Sequence, residues 1–209
     1  MNSAKAESAY LPKPEPRVDT SARDRILAIA TRLFYRHGIR SIGVNTVIAE
    51  AEVAKTTLYE HFRSKDELIA QCLHRLDERY FRWFVDEVER RAEDPMQRLL
   101  AMFEIYDEWF QSADFRGCAF INAAVELADN DHPATAAITH HKRRARALIE
   151  RLARDAGFAD PTAVSEHLTL LMEGAIITAL VEGDWKAARR ARAATVRLLS
   201  LEHASDAAT

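Results

Sequence analysis

The stretch Val44-Asn45-Thr46-Val47-Ile48-Ala49-Glu50-Ala51-Glu52-Val53-Ala54-Lys55-Thr56-Thr57-Leu58-Tyr59-Glu60-His61-Phe62, followed by Arg63-Ser64-Lys65, decides the fold. It divides into two short helical segments, about Val44 to Ala51 and about Lys55 to Phe62. Such helices keep a fixed crossing only if small and branched apolar side chains interlock at the corner. Val47, Ile48, Ala51, Val53, Leu58 and Phe62 fall where that packing needs them. The pattern predicts a helix-turn-helix, with Lys55, Thr56, Thr57, Tyr59 and His61 on the exposed face of its second helix. A cation, hydroxyls, an aromatic ring and an imidazole suit a DNA groove. A recognition helix enters the roughly 12 Å major groove by its N-terminal end, which assigns Lys55, Thr56 and Thr57 to base edges. Tyr59 and His61 are assigned to phosphates, with Thr46 in the preceding helix and Lys65 at the start of the next, where free backbone donors also favour an anion. Each of these four has a plainer reading as well. Tyr59 and His61 could be packing residues, Lys65 a solvated helix-start residue, and Thr46 a cap of its own helix.

The charge distribution agrees with that assignment. The 209-residue chain has a formal net charge of -3, which by itself argues against a nucleic-acid partner. Residues 20–65, however, hold eight Lys or Arg against four acids, a net of +4, whereas residues 66–209 sum to -7 and residues 1–19 to zero. A basic segment on an acidic body is expected where one end of a molecule meets phosphate.

Outward from the motif, the chain reads as helical throughout, with about nine helices. Thr20 or Ser21 caps a first helix carrying Ile26, Ile29, Ala30, Leu33 and Phe34, which Gly38 stops. Ser64 and Glu67 form a capping box opening a long fourth helix with Leu68, Cys72, Leu76, Tyr80, Phe84 and Val88 at helical spacing. Further helices are expected over about 96–111, 120–129, 133–156, 161–181 and 185–201, punctuated by Pro95, Pro133, Gly157, Pro161 and Gly183. Residues 1–19, with Pro12, Pro14 and Pro16 and no apolar period, read as a flexible tail.

Residues 23–70 resemble the DNA-binding domain of the TetR family. The likeness rests on Leu33-Phe34, Gly38, Thr46, Ile48-Ala49, Val53, Thr57-Leu58-Tyr59, Phe62 and Lys65-Asp66-Glu67-Leu68 at ungapped spacing. The chain departs from the family at Glu52, where the turn usually holds glycine. A non-glycine residue there either bears a left-handed backbone strain or marks a different turn. The resemblance implies an all-α protein: a flexible tail (1–19), a helix-turn-helix domain (20–65), and a helical regulatory and dimerisation domain (66–209). It implies double-stranded operator DNA, a second copy of the chain and a small-molecule effector as partners. It implies a sequence-specific regulator, a repressor that its effector releases from a palindromic operator. A ligand-independent regulator or an activator of the same fold remains open.

For the regulatory domain the expectations come from apolar patterning. Helix eight carries a stripe too broad for one partner, and helix nine is rich in alanine. Leu168, Leu171, Ala175, Ile176, Ala179, Ala191, Thr195 and Leu198 are therefore assigned to a four-helix dimer interface, with intrachain core as the alternative. A pocket is expected among helices four to eight, lined by Trp83, Phe103, Tyr106, Trp109, Phe110, Phe120 and Met172. Asn122, Glu126, His141 and Glu173 would be its orienting polar groups.

Composition narrows the remaining classes. With 48% hydrophobic and 29% charged residues and only six glycines, the chain reads as a soluble helical protein of the cytoplasm. No run reaches the roughly 18 uncharged apolar residues of a membrane span, so no membrane partner is expected. Cys72 and Cys118 form no metal-binding spacing, and His132, His140, His141 and His167 offer no i,i+4 pair with a carboxylate partner, so neither metal nor cofactor is expected. A helical enzyme or carrier is the competing class; the sequence holds no nucleophile elbow, phosphate-cradling loop or paired-carboxylate motif for it.

Overall fold

Ser21 opens the first helix, its hydroxyl accepting the Asp24 backbone N–H at 3.1 Å. The computed structural model describes residues 21–206. Within them the chain forms α1 (Ala22–His37), α2 (Val44–Ala51), α3 (Lys55–His61), α4 (Lys65–Arg91), α5 (Pro95–Phe110), α6 (Ala119–Leu127), α7 (Ala134–Asp155), α8 (Pro161–Glu182) and α9 (Ala187–Asp206). No strand occurs among the described residues. The predicted tail, 1–19, lies outside them.

The starts of the helices follow from local chemistry. Asp94 and Asp160 cap α5 and α8 by accepting the N–H of Gln97 at 2.8 Å and of Ala163 at 3.0 Å, each with proline in the first turn. The Ser64 hydroxyl accepts Glu67 N–H at 3.1 Å; the Glu67 carboxylate reaches past Ser64 to accept Arg63 N–H at 2.9 Å, a capping box displaced by one residue. The sequence placed the end of α6 at Asp129. Instead Ala128 takes a left-handed conformation, φ 47°, and closes the helix at Leu127.

The chain divides into two compact units, residues 21–82 with 118–141, and residues 83–117 with 142–206. The division falls inside α4 and α7 and not at the expected 65/66 boundary. The physical reason is that α1 has no complete core without α4: Leu68, Ile69, Cys72 and Leu76 are buried, and the Cys72 thiol donates to the Leu27 carbonyl at 3.8 Å. Arg23 donates to Gln71 at 3.2 Å and Arg75 pairs with Asp24, joining the same two helices at their surface.

In the second unit α9 packs on α8 and α5. Ala187, Ala188 and Ala191 are buried, and small side chains let the helices approach closely. Arg189 binds Asp107 through two hydrogen bonds of 2.9 and 3.0 Å, and Arg192 lies 3.3 Å from Glu104. Such exposed pairs fix register more than they stabilise.

Candidate nucleic-acid interface and regulatory core

Val47, Ala51, Leu58 and Phe62 are buried, so the corner predicted from the sequence is the packed one. The turn closes through Glu52 N–H donating to Ala49 and Val53 N–H donating to Ile48, both at 3.2 Å. Glu52 sits at φ 51°, ψ 50°, the left-handed region. The chain thus keeps the turn geometry that glycine would serve and bears the strain of about 1–2 kcal/mol.

The outward face of α3 is polar. Lys55, Thr56, Tyr59 and His61 are exposed, and Thr57 is half-buried. Tyr59, 42% exposed, does not pack as a core residue. The side chains of Lys55, Thr56 and Tyr59 take no hydrogen bond among the described residues. Thr46 is also exposed, and it is not the cap of its helix, because Gly43 occupies that position.

Lys65 behaves differently from the expectation. Its Nζ donates to the Ile39 carbonyl at 2.6 Å and lies 5.9 Å from the centre of the Phe34 ring. The ammonium is thereby drawn back onto the α1–α2 connection, which makes Lys65 a residue that positions the motif.

Glu126, expected as a pocket residue, reaches the same connection. Its Oε2 accepts the Arg40 N–H at 2.9 Å. Gly38, at φ 86°, leaves room for it: a Cβ there would stand 3.1 Å from that oxygen. Carboxylate and glycine together clasp the end of α6 to the turn between α1 and α2. Sequence reading missed this, since the partners are 86 residues apart.

His141, another expected pocket residue, is buried. Its Nδ1 lies 2.7 Å from Oδ1 of Asp77, a carboxylate only 1% exposed, and its ring stacks on Phe120 with centroids 3.6 Å apart. Burial of the ring works against its charge. The Asp77 hydrogen bond, aided by Cys118, outweighs that and raises the His141 pKa. Asp77 was not anticipated, and its sole sequence signal is an acid inside the apolar stripe of α4.

Phe120 and Asn122 of α6 belong to the same unit as His141, and the other expected pocket residues lie in the second unit. Tyr106 meets Phe84, Trp109 and Phe110 with centroids 6.1, 5.6 and 5.8 Å apart, and the unpredicted Phe115 meets Trp109 and Phe110 at 5.1 Å. Trp83 contacts Phe84, and Phe103 and Met172 are buried. Glu173 accepts from Lys142 at 2.8 Å. The expected orienting groups Glu126, His141 and Glu173 are therefore already bonded within the chain.

The expected dimer residues also need correction. Leu168, Ala175, Ile176, Ala179, Ala191 and Thr195 are buried within the single chain, and only Leu171 and Leu198 are half-exposed. These small and apolar side chains serve the intrachain packing of α5, α8 and α9. Exposed instead are Leu170, Ile177, Leu180 and Val181 on α8, with Val196 and Leu201 on α9. Apolar on both faces, α8 is the one described helix long and apolar enough to cross a membrane, although the sequence contained no uncharged run of that length.

Comparison with known proteins accounts for both parts of the chain. Residues 26–72 match the family of bacterial regulatory proteins, tetR family, and residues 95–195 match the tetracyclin repressor-like C-terminal domain. The structure is similar to that of SCO4454, a TetR-family transcriptional regulator from Streptomyces coelicolor, at 31% identity and a TM-score of 0.81, covering 92% of this chain and 98% of that one. A putative TetR-type regulator from Streptomyces avermitilis is 29% identical with a TM-score of 0.78, over 88% of this chain and 99% of that one. The HTH-type transcriptional regulator LmrA of Bacillus subtilis is 26% identical over 76% of this chain and 86% of its own length. Relatives of this kind are regulators and not enzymes. The chain belongs to the TetR family of helix-turn-helix transcriptional regulators.

Proposed function

We propose that the protein is a homodimeric repressor that holds a palindromic operator through α3 and is released from it by a small-molecule effector. The observation that carries this reading is the outward face of α3, where the side chains of Lys55, Thr56 and Tyr59 stand exposed without an intramolecular hydrogen bond among the described residues. Lys55, Thr56 and Thr57 address base edges, and Tyr59, His61 and Thr46 address phosphates. Lys65 supports them by holding Ile39. A second copy covers the exposed apolar face formed by Leu170, Ile177 and Val181 of α8 with Val196 of α9, in an isologous contact.

Release follows from α6. This helix begins at the Phe120–His141 stack and ends at the Glu126 clasp on the α1–α2 turn. An effector that engages Asn122 or displaces Phe120 shifts the helix and with it the turn that orients α2 and α3. Two half-sites demand a fixed spacing of about one DNA turn or a multiple, so a small shift in each chain lowers affinity for the whole operator. A coupling of about 1–3 kcal/mol corresponds to roughly 5- to 150-fold.

The test selects bound duplexes from a random library, then measures by calorimetry an effector found by thermal-shift screening, with and without the selected operator. The expected results are a palindromic consensus and an effector affinity that operator DNA weakens. Failure to enrich any sequence overturns the DNA assignment. Equal effector affinity in both conditions overturns release.

A further inference from the structure

We infer that Glu60 is a specificity-determining residue of α3 that selects a cytosine in each half-site of the operator, an inference that rests on the operator reading above. The helix fixes where its side chain stands. Leu58 is fully buried and marks the inner side of α3, and Phe62 is buried where the helix ends. At 3.6 residues per turn, Glu60 lies about 160° round the helix from Leu58. It therefore projects from the outer side, on the same line as Thr56 one turn before it, and both are exposed.

The Glu60 carboxylate takes no hydrogen bond or ion pair among the described residues. Neighbouring acids differ in this respect: Asp24 is held by Arg75, Glu50 lies 3.6 Å from Arg32, and Glu52 also interacts within the chain. Arg63, three positions after Glu60, does not neutralise it, because the backbone leaves the helix at Phe62, φ -140°. A free carboxylate on a face that meets phosphates weakens binding to DNA in general. That cost is offset only where a base edge supplies a hydrogen-bond donor.

In the major groove cytosine presents its N4 amino group as a donor and no acceptor. Guanine presents the acceptors N7 and O6, thymine the acceptor O4, and adenine sets its N7 acceptor beside its N6 donor. A carboxylate therefore accepts from cytosine and is disfavoured at the other three bases, so repulsion of wrong sequences contributes to the selection. Glutamine has the same length and no charge. Its amide matches adenine, donating to N7 and accepting from N6, which makes the Glu60→Gln exchange a change of preferred base and not merely a loss.

Selection of bound duplexes from a random library, run in parallel with the full-length parent, Glu60→Gln and Glu60→Ala, tests the assignment. The parent is expected to enrich a palindrome with a cytosine in each half-site that Glu60→Gln replaces by adenine and Glu60→Ala leaves unspecified. On duplexes built from the parent's palindrome, exchanging that cytosine for adenine is expected to weaken the parent about 5- to 150-fold and to tighten Glu60→Gln. Glu60→Ala is expected to bind the two duplexes equally. Both variants are expected to bind scrambled duplex more tightly than the parent, since each lacks the negative charge. Thermal melts establish that each variant is folded, as expected for a change at an exposed position. The same palindrome from all three proteins overturns the role of Glu60 and leaves the operator reading standing. Equal tightening of Glu60→Ala on every duplex overturns it as well, because Glu60 would then repel DNA without reading it. Enrichment of no sequence by the parent overturns the operator reading itself, and this inference with it.

Discussion

Replacing Glu52 by glycine is expected to stabilise the protein, an unusual outcome for a substitution in a DNA-binding motif. Glu52 sits at φ 51°, ψ 50°, where a Cβ crowds the backbone at about 1–2 kcal/mol. Glycine removes that cost, and its greater freedom in the unfolded chain returns about 0.5–1 kcal/mol. The difference leaves a net gain on the order of 0.5–1 kcal/mol. In a chain of this length 1 kcal/mol moves the melting temperature by about 2–4 °C, so Glu52→Gly is expected to melt roughly 1–4 °C above the parent. Glu52→Ala separates strain from charge, because it deletes the carboxylate and keeps the Cβ. It is expected to melt at or below the parent. Both substitutions remove a negative charge from the turn between α2 and α3, so both are expected to tighten non-operator DNA binding alike. Scanning calorimetry of the three proteins decides the matter, and Glu52→Gly melting at or below Glu52→Ala would refute the reasoning.

Lys55→Ala is expected to lose discrimination between operator and scrambled duplex by about 1–3 kcal/mol with its melting temperature unchanged, as fits an exposed groove residue. Lys65→Ala, which deletes the bond to Ile39, is expected to lower the melting temperature by a few degrees; a melt identical to the parent's would return Lys65 to the role of a plain phosphate contact. A raised His141 pKa means that the folded chain holds the ring proton more tightly than the unfolded one. The Asp77–His141 pair therefore stabilises fully below the ordinary histidine value of 6.5 and loses that contribution as pH rises through the folded value. Thermal melts across this range are expected to show the fall in the parent and a flatter profile in Asp77→Asn, and parallel profiles would count against the pair. Thr195 is fully buried with its hydroxyl unbonded among the described residues, so Thr195→Val is expected to raise the melting temperature, by about 1 kcal/mol of stability; a lower melt would show that the hydroxyl is bonded.

The motif was legible in the sequence because its determinants are local. Caps at Ser21, Ser64, Asp94 and Asp160, and the apolar corner of Val47, Ala51, Leu58 and Phe62, lie within one or two helical turns of the residues they organise. The resemblance to the TetR family marked Glu52 as the anomaly of the turn, although only its dihedral angles decided that the left-handed conformation is kept. Periodicity could also identify α8 as apolar on more than one side. It could not say which side faces inward, since a helix apolar all round has no pattern that distinguishes a partner in its own chain from one in another. Six of the eight inferred dimer residues are consequently buried within the chain, and Leu170, Ile177 and Val181 emerged as the outer face. The bonds of the polar pocket candidates were illegible for a related reason. A carboxylate or imidazole within an apolar run signals a specific bond, but the sequence does not name its partner. Tertiary structure gave Glu126 to the backbone of Arg40, His141 to Asp77 and Glu173 to Lys142, and bonds across 86, 64 and 31 residues exist only once the helices have packed.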